Sequence, residues 1–366
     1  MKQKTSPIDY AVMAVETMMR KFKAKDLPPI KHFHYHQGVF LSGVYRTYLL
    51  SKNEEYFNYM KDWVDSVIDD EGNFLGEAYY KDILDDIQPG ILLFPLIERT
   101  KEKKYEMALE KLMKALEDFP KIPEGGFYHR TSFPSQMWLD GLYMAGPIGA
   151  HYAKYAKRPD FLEVAHRQVM LMREKTLDEK TGLWYHAYDD SRAEAWCDKT
   201  TGLASEFWGR SIGWVPVAIL DEMDYMEKDS QFYSDYTNVV VELLTTLCKY
   251  QGKNNLWYQV VNKENEPGNW PEISCSCLYV AAICKAIRIG ILDKSYLENA
   301  QRGYVAVIDS LDFDGDDLLV QGVCIGTGVG DYEHYCNRPT STNDLHGVGA
   351  FLLMCTEAAR LEEINS

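Results

Sequence analysis

Apolar residues recur every three or four positions through most of this chain, the period of a helix with one buried side. In the first such stretch Ala11, Val12, Ala14, Val15, Met18 and Met19 share one flank. The same spacing marks twelve stretches, at roughly 7–22, 37–50, 54–68, 86–99, 103–117, 136–155, 159–173, 203–226, 231–250, 272–288, 295–309 and 344–362. Strand signals are short and confined to connections, as in Gly125-Gly126-Phe127-Tyr128 and Leu183-Trp184-Tyr185-His186. Twelve helices predict six antiparallel hairpins. The closed arrangement is an all-α (α/α)6 barrel, and the open alternative is a helical solenoid.

The connections favour the barrel. Those from odd to even helices are long and rich in Gly, aromatic and charged residues, whereas those from even to odd helices are short. Long connections carry function more often than short ones. The even helices also hold more Gly and Ala, which suits a crowded inner ring. The site is therefore expected at the N-termini of the even helices.

Composition narrows the function. The chain has 366 residues, 46% hydrophobic, and is expected to form a single domain over 1–366. A formal net charge of −16 argues against binding the nucleic-acid backbone, which needs basic patches. No apolar run is long enough to span a membrane. Met1 to Lys25 lacks the apolar core of a signal segment. Eight cysteines show no disulfide spacing, so the expectation is reduced thiols in a cytoplasmic chain, with a monomer favoured. The 25 Tyr and 8 Trp suit stacking on sugar faces as well as ordinary helix packing.

The polar residues expected at the barrel mouth include Tyr35, Asp85, Asp86, Arg130, Trp138, Asp140, His186, Trp208, Arg210, Trp214 and Ser341. Acids for proton transfer, aromatics for ring faces and Arg for an anion make the composition of a sugar site. Asp140 stands out because Trp138, Leu139, Leu142, Tyr143 and Met144 surround it. Burial there is expected to raise its pKa and keep it protonated, as a general acid requires. The structural alternative is a buried Asp that caps a loop amide.

Two other clusters bear on metals. His32, His34 and His36 alternate, and such a run can ligate zinc, but no acidic or Cys partner lies at standard spacing. Asp312-Phe313-Asp314-Gly315-Asp316-Asp317 has its Gly misplaced for an EF-hand loop. The expectation is a site with no metal and no cofactor.

Trp138-Leu139-Asp140-Gly141-Leu142-Tyr143-Met144, Trp184-Tyr185-His186-Ala187-Tyr188-Asp189 and Trp208-Gly209-Arg210-Ser211-Ile212-Gly213-Trp214 resemble the motifs of unsaturated rhamnogalacturonyl hydrolases, glycoside hydrolase family 105. The unsaturated glucuronyl hydrolases are more distantly similar. The resemblance covers nearly the whole chain. It implies an (α/α)6 barrel without metal, Asp140 as general acid/base and Asp85 as second acid, with Asp86 its neighbouring rival. It also implies a substrate site of His186, Arg210, Trp208 and Trp214, with Arg130 at a basic position and Tyr35 and Ser341 as further matches. The implied substrate is a small anionic disaccharide ending in a 4,5-unsaturated uronic acid. In that reading Arg210 binds the substrate carboxylate through its planar fork, and the two Trp residues stack on sugar faces. Alternatives are a sugar epimerase or isomerase on the same barrel, a hydrolase of another unsaturated uronide, and a silent sugar-binding module.

Overall fold

The computed structural model describes residues 5–365. Ser6 starts the first helix. Its hydroxyl accepts the Asp9 N–H, the Asp9 carboxylate accepts the Ser6 N–H, and Pro7 fills the first turn. Among the described residues the odd helices α1 (Pro7–Lys21), α3 (Glu54–Val67), α5 (Lys103–Glu117), α7 (Pro159–Thr176), α9 (Gln231–Lys249) and α11 (Leu297–Asp309) form the outer ring. The inner ring consists of α2 (Tyr35–Ser51), α4 (Leu93–Thr100), α6 (Asp140–Ala156), α8 (Gly209–Met223), α10 (Ile273–Arg288) and α13 (Leu345–Asn365).

Packing closes the ring. Helix α2 meets the 3-10 turn Gln88–Leu92 ahead of α4, and that turn meets α6. Then α6 packs on α8, α8 on α10, α10 on α13, and α13 back on α2. Each outer helix lies against an inner neighbour. The expected (α/α)6 barrel is therefore the observed fold. Outer helices bury one stripe, while every residue of α8 is buried. Each fully buried Leu, Val or Phe stabilises the fold by about 1.5–3 kcal/mol. Close approach explains the inner glycines. A Cβ on Gly38 would lie 1.9 Å from Gln88 Oε1, and one on Gly146 would lie 2.0 Å from Glu222 Oε1.

Three inner helices begin later than their periodicity suggests. The stretch before α4 winds as 3-10 turns, because Pro89 and Gly90 weaken a regular α-helical start. Residues Gln136–Trp138 form strand β1, antiparallel to β2 (Ala187–Asp189), with Trp138 opposite Ala187. Residues 203–208 precede α8 as extended chain, bridged to Tyr188 and Val260. The last long connection holds structure that the pattern does not predict. It contains the hairpin β3 (Asp312–Asp314) and β4 (Asp317–Leu319), strand β5 (Val323–Cys324), the short helix α12 (Tyr332–Cys336) and strand β6 (Thr340–Ser341). All eight cysteines are free, and among the described residues no helix is long and apolar enough to cross a membrane.

Candidate active site

The β1–β2 ladder sets the centre of the mouth. Its register continues one step, with the Leu139 N–H donating to the His186 carbonyl at 3.0 Å. Asp140 follows at the first turn of α6, so its carboxylate meets the His186 ring: Nε2 lies 3.0 Å from Oδ2. His186 is fully buried, and its Nδ1 lies 2.7 Å from the Tyr335 hydroxyl on α12. That hydroxyl accepts the Gly330 N–H at 3.1 Å, which turns its own proton toward Nδ1. Nε2 then carries the imidazole hydrogen and donates to Asp140. Burial holds His186 below the usual imidazole range, consistent with this neutral tautomer.

The chain of donors reverses one expectation. Burial does push the Asp140 pKa up, but the His186 hydrogen bond and the positive charge of His186, His129 and Arg210 outweigh it. Asp140 therefore sits below the ordinary carboxylate value, not above it. The raised carboxyl is Asp85, lifted first by burial and then by the charges of Asp140 and Asp86. Asp85 lies 3.6 Å from His129 Nε2. Asp86 is engaged elsewhere, accepting the Tyr79 N–H at 2.6 Å and meeting His34 Nδ1 at 2.6 Å. Asp85 is raised in part by the charge of Asp140.

The aromatic expectations divide. Trp138 keeps partial exposure and lies parallel to His129 at 4.2 Å between centroids. Trp208 and Trp214 are each 1% exposed. Trp208 is packed between the Arg210 guanidinium at 4.6 Å and the Tyr335 ring at 5.8 Å, and Trp214 stacks on Tyr143 at 4.6 Å. A ring with no exposed face has none to offer a sugar, so both residues support the wall of the site.

Arg210 is corrected on the same grounds. It is 2% exposed, with Nη1 donating to the Cys324 carbonyl at 2.6 Å and Nη2 to the Ile325 carbonyl at 2.9 Å. The fork expected to grip a substrate carboxylate is closed on backbone oxygens instead. Arg210 fixes the loop after β5 and contributes positive charge from behind Asp140.

Of the remaining expected residues, Arg130 and Ser341 border open space and Tyr35 is buried. Arg130, Ser341, His34 and His36 line a cavity of about 640 Å³ at the mouth. The Arg130 guanidinium lies 5.7 Å from the Phe133 ring centroid. Tyr35 begins α2 beside His34 and His36, and its hydroxyl is held protonated by burial. Tyr335 and Glu272 are positioning residues that sequence reasoning does not single out. Glu272 caps α10 through Ser274 and Cys275 N–H groups and accepts the Cys324 N–H at 2.9 Å. Their contacts with the site carry no local signal, since Tyr335 meets His186 and Glu272 meets Cys324 across the chain.

Comparison with known proteins agrees with this fold. Residues 10–362 match the family described as Glycosyl Hydrolase Family 88. The chain is 26% identical over 298 residues to the unsaturated rhamnogalacturonyl hydrolase YesR of Bacillus subtilis, covering 80% of this chain and 79% of that one. Among solved structures it is similar to a family 105 glycoside hydrolase of C. acetobutylicum ATCC 824. There the TM-score is 0.90 at 29% identity, over 95% of this chain and 99% of that one. The fold is also that of the unsaturated glucuronyl hydrolase of Bacillus sp. GL1, with TM-score 0.67 at 14% identity over 95% and 94% of the two chains. With its family matched from end to end of the barrel, this chain belongs to Glycosyl Hydrolase Family 88 and is a glycoside hydrolase.

Proposed function

We propose that the chain, acting as one catalytic domain, releases 4,5-unsaturated galacturonic acid from the non-reducing end of rhamnogalacturonan-derived disaccharides. The observation that carries the reading is the fixed pair at the mouth. Asp140 is held by the His186–Tyr335 donor chain, and Asp85 is electrostatically coupled to it. The likeness to YesR supports the choice of substrate class.

The chemistry follows from the substrate. Its C4=C5 double bond is conjugated to the carboxylate, and C5 also bears the ring oxygen. The group is an enol ether. A proton delivered to C4 leaves positive charge on C5, shared with the ring oxygen. Water adds at C5, and the hemiketal opens with loss of the anomeric bond. This is not displacement at the anomeric carbon, so carboxylate separation does not predict retention or inversion.

The pair supplies one proton and takes one back. In the free protein Asp85 keeps its proton to higher pH than Asp140. An arriving uronate adds a negative charge beside both groups and raises both pKa values. Asp140 then delivers the proton to C4 and, as carboxylate, receives one from the attacking water. The His186 Nε2–H holds that carboxylate in place between the steps. The raised carboxyl of Asp85 favours one second reading, with Asp85 as the acid and Asp140 as the base of a coupled pair. With Arg210 closed on backbone, Arg130, which lines the cavity, is the partner assigned to the substrate carboxylate.

The test is the near-ultraviolet absorbance of an unsaturated galacturonyl-rhamnose. The wild type is expected to abolish it while rhamnose appears. A stable chromophore in the presence of active enzyme, with another unsaturated uronide consumed, would overturn the substrate assignment.

A further inference from the structure

The alternating histidines at the start of α2 do not share one fate. His32 Nε2 lies 3.1 Å from Glu77, and His34 Nδ1 lies 2.6 Å from Asp86. Each has a carboxylate of its own. His36 does not: its buried Nδ1 has no hydrogen-bond partner, and its Nε2 lies 3.9 Å from Asp344 Oδ1. Across the seam of the barrel, His346 on α13 is fully buried. Its Nε2 lies 3.0 Å from the Cys324 carbonyl, which accepts, so Nε2 carries the hydrogen. In the neutral ring, the form that binds a metal, Nδ1 is a lone pair. It lies 2.7 Å from Asp344 Oδ1 but at an angle that makes no hydrogen bond.

Two imidazole nitrogens and a carboxylate oxygen therefore converge. The three ligand atoms lie within 4.8 Å of one another. We propose that His36, Asp344 and His346 form a binding site for a zinc-class divalent cation at the barrel mouth. Zinc bonds of about 2.0–2.2 Å in a tetrahedron place ligand atoms about 3.3 Å apart. The observed separations of 2.7 and 3.9 Å straddle that value, so small side-chain rotations complete the set. Imidazole and carboxylate together suit zinc and its transition-metal neighbours better than magnesium. The Cys324 carbonyl fixes the His346 ring from outside, as second partners of metal-bound histidines do.

The site is reachable. The His36 and Asp344 side chains are 21% and 19% exposed and line the same 640 Å³ cavity as Arg130 and Ser341. The fourth position faces that cavity and takes water or an anionic oxygen. The ligands also join the N-terminus of α2 to that of α13, the first and last inner helices. A cation here fastens the seam where the ring closes. Sequence spacing conceals the site because its acidic and second imidazole ligands stand about 300 residues beyond His36. The expectation of a metal-free chain is reversed by this proposal. It does not rest on the substrate reading.

The experiment is calorimetric titration of chelator-treated full-length protein with zinc chloride, with cobalt(II) as the spectroscopic probe. Saturation at one ion per chain is expected, with a tetrahedral cobalt spectrum free of thiolate charge transfer. His36→Ala and Asp344→Asn each weaken zinc binding at least about tenfold, while His32→Ala leaves it unchanged. Zinc also raises the wild-type Tm but not that of the folded His36→Ala protein. No saturable binding, equal affinity in the variants, or a thiolate band would overturn the proposal.

Discussion

The two ends of the inner ring use their charged side chains differently. At the far end, where the inner helices finish, the carboxylates of Asp221 and Glu357 meet opposite charges. Arg46 and Lys285 lie 2.5 and 2.8 Å from Asp221, while Arg288 and Arg360 lie 2.7 and 3.3 Å from Glu357. Burial pushes Asp221 up, but Arg46 and Lys285 outweigh it and hold the carboxyl far below its usual range. At the mouth, Asp140 and Asp85 face imidazoles, and the buried arginine behind them is bonded to backbone carbonyls. Paired charge stabilises a cavity wall. Carboxylates that face imidazoles rather than fixed cations stay free to exchange protons.

The largest expected effect breaks the mouth alone. Asp140→Asn keeps the shape and loses the exchangeable proton, so turnover falls by about 10²–10⁴-fold. Circular dichroism and Tm remain those of the wild type. Near-normal turnover would remove Asp140 from the chemistry.

The matching change at the far end acts on stability. Asp221→Asn leaves Arg46 and Lys285 buried with one less counter-charge, at a cost of about 3–5 kcal/mol. Denaturant titration measures the loss, and activity per folded molecule stays unchanged. A variant that is stable but inactive would show that the two ends are not separable.

A third pair of variants tests the correction to the arginines. Arg130→Ala weakens kcat/KM for the free uronate by about 10- to 100-fold, the value of hydrogen bonds to a charged group, and spares its methyl ester. Arg210→Lys cannot reach both the Cys324 and Ile325 carbonyls, so it lowers Tm but keeps the acid-to-ester ratio. The reverse pattern would restore Arg210 as the substrate's partner.

The most gradual effect concerns pH. Burial raises Glu222, beside Tyr236, to about 8 from an unfolded value of 4.5. Between those values the folded chain binds more protons than the unfolded one, so stability falls as pH rises. The slope contributed is about 1.4 kcal/mol per pH unit at most. Glu222→Gln flattens it in urea titrations across that window.

The helices were legible because each outer helix has a buried stripe, and the inner ring was legible because its glycines mark close crossings. Asp140 and His186 stood out because their motifs lie in the long connections that feed the mouth. Other features depend on contacts that no local pattern reports. The sign of the Asp140 shift depends on His186, 46 residues away. The closure of Arg210 depends on carbonyls 114 and 115 residues away. Trp208 and Trp214 carry the same residue type and spacing whether they face a sugar or a wall, and only burial separates them. The strand at Gln136–Trp138 was hidden because three residues cannot establish a period of two against a helical flank.

The central claim is protonation at C4 by the carboxylate pair. It is tested most directly by following rhamnose release and chromophore loss together in D2O, on an unsaturated galacturonyl-rhamnose. The account predicts that the two proceed one for one and that the early product carries a single deuterium on one face of C4. Rhamnose release that runs ahead of chromophore loss, leaving the free uronic acid with its double bond intact, would contradict it.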